Sequence, residues 1–229
     1  MKRHISLLLI LSLCSIWSCG GTVPEQEQGL YVHLTFDTLT DNDSITPDSS
    51  GNGHDGKTNG QVIVDGVIGK ALEFGGLDQI VDLGDLSVSA PCTITFWFKT
   101  HDLFHDRRLF SQLEGAETQA GALRLDGVRL EIWDGSEWAV LVDRLMKINK
   151  WMHVAVVFGP DGKTSGYLNG ARQHLVSCSP DFNGVHAAVG GKFLNEQGNV
   201  FTGSMDDFRI YSRALDAEEI AEIHAASAQ

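Results

Sequence analysis

Apolar residues recur at every second position in one short run after another along this chain. That period leaves little room for anything but β structure. Val32, Leu34 and Phe36 alternate with Tyr31, His33 and Thr35, and Ile94, Phe96 and Phe98 alternate with Thr93, Thr95, Trp97 and Lys99. Phe208 and Ile210 do the same against Arg209 and Tyr211. A side-chain period of two marks a strand with one face buried. Met152, Val154, Val156 and Phe158 alternate with Trp151, His153, Ala155 and Val157, a run apolar enough on both faces to lie inside a sheet. Lys70–Phe74, Leu123–Leu125, Val128–Trp133 and Ala139–Val142 read as further short strands. Asn169-Gly170, between Tyr167-Leu168 and Ala171–Val176, is a type I′ hairpin signal. With 25 glycines and one convincing helix, the pattern predicts an all-β fold, an antiparallel β-sandwich.

The helix lies at the C-terminal end. Asp216 takes the N-cap place and Glu219 closes a capping box three residues on, while Leu215 and Ile220 occupy the two ends of a hydrophobic staple. Just upstream, Asp206 and Asp207 crowd two carboxylates at the entry of the last strand, where they have little structural reason to be together.

The N-terminal end is a targeting segment. Lys2 and Arg3 form a positive start and Ile5 to Leu13 an apolar core too short to span a bilayer. Ile16-Trp17-Ser18-Cys19 resembles a bacterial lipobox, which implies a signal peptide over 1–18 and lipidation of Cys19. The polar stretch 19–28 reads as a flexible tether and 29–229 as one domain. The expected location is the cell envelope, anchored by lipid; no aspartate follows Cys19, which points to the outer membrane. Lys and Arg number 17 against 30 Asp and Glu, a net charge of −13 that disfavours nucleic acid and is compatible with binding cations. Outside the targeting segment only Cys92 and Cys178 remain, a pair that an exported protein could join as a disulfide or hold as two buried thiols.

Seven landmarks carry a family resemblance. They are Phe36-Asp37, Asp48 to Gly56, Gly69 to Gly75, Thr93 to Lys99, Trp151 to Ala155, Gly166 to Gly170 and Gly203 to Tyr211. In this order and spacing the chain resembles the laminin-G-like jelly rolls of the concanavalin A-like lectin/glucanase superfamily. The resemblance implies a jelly-roll sandwich used by lectin, adhesion and carbohydrate-binding modules as well as by enzymes. It also implies a structural Ca²⁺ that bridges the first strand, the Gly-rich loop and the last strand. Carried over by position, its ligands are Asp37 and Asp206 through carboxylates and Asn52 and His54 through the loop. Asp207 is the alternative to Asp206, because successive strand residues face opposite sides.

Catalytic signatures are weak. Glu131-Ile-Trp-Asp134 resembles the core of retaining β-glucanases, whose acidic residues share one strand face. Here Trp133 shifts Asp134 to the third place, and the two carboxylates diverge. No nucleophile elbow or Gly-rich phosphate loop occurs, and His101-Asp102 and His105-Asp106 lie in a loop rather than on a helix. For binding, Trp133 and Trp138 flank the Asp134–Glu137 turn, and the His101–Arg108 loop adds Phe104, Arg107 and Arg108 as a rim. Aromatic faces stack on sugar rings and charged groups hydrogen-bond their hydroxyls. The expectation is therefore a non-catalytic lipoprotein that recognises a glycan or a glycosylated protein. A protein-binding adhesion or structural module is the alternative, and a glycan-active hydrolase or lyase comes third.

Overall fold

The computed structural model describes residues 27–76, 78–114, 118–144, 147–178, 186–192 and 199–227. The expected signal peptide, Cys19 and nearly all of the expected tether lie outside the described residues. In chain order the strands are β1 (Leu30–Leu34), β2 (Ile45–Thr46), β3 (Gly56–Lys57), β4 (Val62–Asp65), β5 (Lys70–Gly75), β6 (Val81–Gly84), β7 (Cys92–Thr100) and β8 (Arg107–Glu114). They continue with β9 (Thr118–Asp126), β10 (Arg129–Trp133), β11 (Trp138–Val142), β12 (Met152–Phe158), β13 (Thr164–Leu168), β14 (Ala171–Val176), β15 (His186–Val189) and β16 (Thr202–Tyr211), followed by α1 (Ala217–Ser227).

These strands form two antiparallel sheets, as the alternation predicts. One runs β14-β13-β12-β7-β16-β5-β4, with β1 also paired to β16; the other runs β11-β10-β9-β8-β15-β6-β3-β2. The first strand thus lies beside the last, with Leu34 opposite Phe208. Between the sheets the phenylalanines interlock. Phe208 on β16 stands 5.7 Å from Phe96 on β7 and 5.9 Å from Phe110 across the sandwich on β8. All three are fully buried, each contributing about 1.5–3 kcal/mol of hydrophobic stabilisation.

The two-faced apolar character of β12 has its explanation in α1. Val154 and Val156 face the inter-sheet core, whereas Ala155 and Val157 join Tyr167, Tyr211, Leu215, Ile220 and Ile223 in a second cluster under the helix. The capping box is formed. Asp216 Oδ1 accepts from the backbone N–H of Glu218 and Glu219, and Glu219 Oε2 accepts from the N–H of Asp216. The 169–170 hairpin has the positive φ at both central residues, 47° and 77°, that a type I′ turn requires. No described helix is long and apolar enough to cross a membrane.

One expectation needs correction: the run 101–108 is not loop throughout, since Arg107 and Arg108 open β8. Of the two alternatives for Cys92 and Cys178, the structure has the second, two buried free thiols. Cys92 lies on β7, and the Cys178 carbonyl accepts the Thr164 hydroxyl on β13, with β12 in between. Burial pushes the Cys92 thiol up to about 12 and the Cys178 thiol up to about 11.

Candidate functional site

The last strand carries an irregularity that separates its two aspartates. Asp206 pairs with Trp97 and Arg209 with Thr95, so two residues of β16 oppose one of β7. Asp207, in this bulge, has φ of 51°. Bulges of this kind re-aim side chains. Both carboxylates end up buried, at 0% and 4% exposure, but in different company. Asp207 Oδ1 sits 2.7 Å from His33 Nε2 and accepts from Arg209 Nε at 3.0 Å. Burial works to raise the Asp207 carboxyl, yet His33 and Arg209 hold it below the usual carboxylate range.

Asp206 instead points into the turn between β4 and β5. Its Oδ2 accepts from the N–H of Val67 at 2.7 Å and of Ile68 at 2.9 Å, while its Oδ1 is buried without a hydrogen-bond partner. Burial pushes this carboxyl up to about 7, against the pull of the two N–H groups, and the charges of Asp207 and Asp37 add to the rise. Asp37 lies three residues beyond β1, and its Oδ1 accepts from Lys70 N at the far end of the same turn. The turn's glycines make the approach possible: a Cβ on Gly66 would collide with Asp206 Oδ2, and one on Gly69 with Asp37 Oδ1. Two carboxylates and a buried oxygen with no partner are a donor set suited to a hard cation.

Asn52 and His54 do not belong to it. Asn52 Nδ2 donates to the carbonyls of Leu30 and Tyr31, and the His54 ring lies 4.5 Å from the ring of Tyr31. The strand separates the two places. Tyr31 is the second residue of β1, and Asp37 lies three residues beyond its far end. Asp48 is what shapes the Gly-rich loop, accepting from the N–H groups of His33, Ser50 and His54. Among the described residues no three His, Cys, Asp or Glu gather as a metal cluster. A cation at Asp37 and Asp206 would draw its other ligands from carbonyls or water.

The second candidate lies on the outward face of the other sheet. The β9–β10 register sets Arg124 opposite Glu131 and Ala122 opposite Trp133, and β11 adds Trp138 opposite Trp133. The two tryptophan rings are 5.4 Å apart and both are half-buried. Arg124 donates through Nε and Nη2 to Glu131 Oε2, at 3.0 and 2.8 Å, and through Nη1 to Asp106 at 3.3 Å. Arg108 pairs with Asp106 at 2.9 Å. Both guanidiniums lie against the Trp138 ring, 3.8 Å (Arg124) and 4.5 Å (Arg108) from its centre. The structure thus brings Trp133, Trp138 and Arg108 together, with Trp138 covered by arginine and Trp133 at its side. Arg107 is elsewhere: it clamps Asp102 at 3.0 Å, donates to the Val200 carbonyl and lies over Phe104.

Arg124 was not singled out in the sequence, and Asp106 and Glu131 were weighed only in other motifs, so their place beside the tryptophans was not legible. The signal for two of them was the Asp126-Gly127 turn, which fixes a hairpin register that faces Arg124 with Glu131. Asp134 spends its Oδ1 on the backbone of Ser136 and Glu137, whose N–H groups hold its carboxyl low. A separate cavity of about 290 Å³ opens at the start of β1, walled by Tyr31, the Ser87–Pro91 segment and Ser212.

The chain matches a known family in sequence and solved structures in fold. The sequence profile of the concanavalin A-like lectin/glucanases superfamily matches residues 74–221. Among solved structures, domain 4 of the extracellular arabinanase AbnA from Geobacillus stearothermophilus superposes with a TM-score of 0.66 at 24% identity, covering 87% of this chain and 98% of that one. The binding domain of Paraclostridial Mosquitocidal Protein 1 gives 0.69 at 19%, covering 88% of this chain and 53% of that one. Trypanosoma rangeli sialidase gives 0.65 at 17%, covering 86% of this chain and 32% of that one. This chain thus spans about half of the mosquitocidal chain and a third of the sialidase, and at these identities the likeness is one of fold. No curated protein matches the sequence. From the profile match and the two-sheet architecture together, the chain belongs to the concanavalin A-like lectin/glucanases superfamily as a laminin-G-like jelly roll.

Proposed function

We propose that this protein is a non-catalytic, lectin-like module that binds a glycan or a glycosylated protein on the outward face of its second sheet. The observation that carries the reading is the half-buried Trp133–Trp138 pair, set beside guanidiniums and carboxylates already fixed to one another. An aromatic ring next to immobilised polar groups is what a sugar needs, an apolar surface for its C–H face and rigid partners for its hydroxyls. The company the fold keeps supports it: the arabinanase domain was solved with arabinotriose, and two similar structures are binding domains of toxins.

Catalysis is not part of the proposal. A glycosidase acid must hold its proton near neutrality, whereas Asp134 is held low by its turn and Glu131 is ion-paired to Arg124. Asp206 is the carboxylate pushed up to about 7, but it is fully buried and fixed to the 66–69 turn.

We further propose that Asp37 and Asp206 hold Ca²⁺. When bound, the ion would supply the positive charge that offsets the burial of the Asp206 carboxylate. The residues themselves then tie the segment after β1 and the β4–β5 turn to β16, so the role is structural. A lipid on Cys19 would display the domain from the outer membrane, its only attachment to a membrane. Incorporation of labelled fatty acid should vanish in Cys19→Ala, and labelling that persists would refute the anchor.

A glycan array probed with the soluble domain tests the central reading. Binding that Trp133→Ala removes, with an unchanged melting temperature, is the expected result. A protein that binds no glycan but adheres to an unglycosylated partner would establish the adhesion alternative instead.

A further inference from the structure

Granting the proposed glycan site, its charge arrangement specifies the kind of glycan. We infer that the Trp133–Trp138 face takes neutral, hydroxyl-rich sugars and discriminates against uronates, sialosides and sulfated sugars. Four charged groups stand at this face, Asp106, Arg108, Arg124 and Glu131, two of each sign and mutually paired. Each of the three nitrogens of the Arg124 guanidinium bonds a protein carboxylate oxygen, and Arg108 is 6% exposed. An incoming carboxylate or sulfate would meet no net positive charge. To reach a guanidinium it would have to crowd in beside Asp106 or Glu131, which already hold all three nitrogens of Arg124, and like-charge repulsion makes that approach costly at a site where Glu131 is 5% exposed.

The surroundings push the same way. Asp134 and Glu137 flank the tryptophans in the β10–β11 turn, and the whole chain carries a net charge of −13. What the cluster does offer is acceptors. Asp106 remains 29% exposed with lone pairs to spare on its two oxygens beyond its two arginine partners. Sugar hydroxyls can donate to these oxygens while the ring stacks on Trp133. The Arg108 and Arg124 guanidiniums act here as braces for the acceptors and for Trp138, not as anion receptors.

The test uses matched pairs on an array, each a neutral oligosaccharide beside its uronate, sialylated or sulfated counterpart, at low and high NaCl. The neutral member should bind at least about tenfold more tightly, a difference worth about 1.4 kcal/mol, and its affinity should not change with salt. Glu137→Lys adds a positive charge at an exposed turn position that caps nothing, and should narrow the gap by improving the acidic member alone. Tighter binding of acidic or of amino sugars, or an affinity that falls with salt, would overturn the inference and leave glycan recognition standing. Binding to no glycan of any class, or binding indifferent to Trp133→Ala, would remove the site itself.

Discussion

Replacing Asp206 by asparagine separates the two things its carboxylate does. In the protein without a cation, burial holds the carboxyl up near 7 against an ordinary 3.8, so its ionisation opposes folding. The folded value lies above the unfolded one, so stability is fullest at pH below the unfolded value and is lost as pH rises through about 7. A rise of roughly three pH units at about 1.36 kcal/mol each makes the cost about 4 kcal/mol above pH 8. Asparagine keeps an acceptor for the Val67 and Ile68 N–H groups and carries no charge. In EDTA at about pH 8, Asp206→Asn should therefore melt higher than the wild type, by on the order of 10 °C for a domain of this size. Calcium acts on the wild type alone. A ligand bound only to the folded state at about a hundredfold its Kd adds about 2.7 kcal/mol, which closes most of the gap. Differential scanning calorimetry with EDTA and then with excess Ca²⁺ reads both effects. A variant less stable than the wild type in EDTA would refute the burial argument, and a calcium shift equal in both proteins would place the ion elsewhere.

Two other perturbations test the helix and the sheet face beneath it. Asp216→Ala removes the acceptor for the Glu218 and Glu219 N–H groups and should cost about 1 kcal/mol, read as a lower urea midpoint at unchanged slope; an unmoved midpoint would mean that α1 contributes nothing to stability. His153 is buried on that face, with Nε2 2.7 Å from the Thr95 hydroxyl; burial first, and the charge of His224 next, depress it to about 3. Its folded value lies below the unfolded 6.5, so its share of stability is present above 6.5 and is lost as pH falls. From about pH 7.5 to pH 5 the wild type should lose about 2 kcal/mol that His153→Gln does not, and parallel pH profiles would contradict it.

The parts of the fold legible in the sequence are those that local rules decide. The alternation at β1, β7, β12 and β16, the Asn169-Gly170 turn and the Asp216–Glu219 box each depend on a few neighbouring residues. Strands β2, β3 and β15 have two to four residues each and owe their existence to distant partners, so no run of residues announced them. The Arg107-Arg108 pair suggested loop because it continues a mostly polar run from His101, and what makes it strand is pairing with the distant Leu125 and Arg124 on β9.

The proposed cation site divides in the same way. All four ligands were carried over by position from the family resemblance; Asp37 and Asp206 do meet one turn, whereas Asn52 and His54 serve β1 and Tyr31 instead. The groups that in fact meet the carboxylates are backbone N–H groups of residues 67, 68 and 70, and these leave no trace in residue identity beyond Gly66 and Gly69. Likewise the Trp133–Trp138 pair was visible as two aromatic residues flanking a turn, whereas Arg124 and Glu131 needed the hairpin register.

The most direct measurement of the central claim is an NMR titration of the tryptophan indole N–H resonances with a neutral oligosaccharide that the array selects. The account predicts that the Trp133 and Trp138 signals, assigned by substitution, shift with a common affinity, while Trp97, buried in the first sheet, stays still. Shifts confined to residues around the Tyr31–Pro91 cavity, with both indoles unmoved, would contradict it.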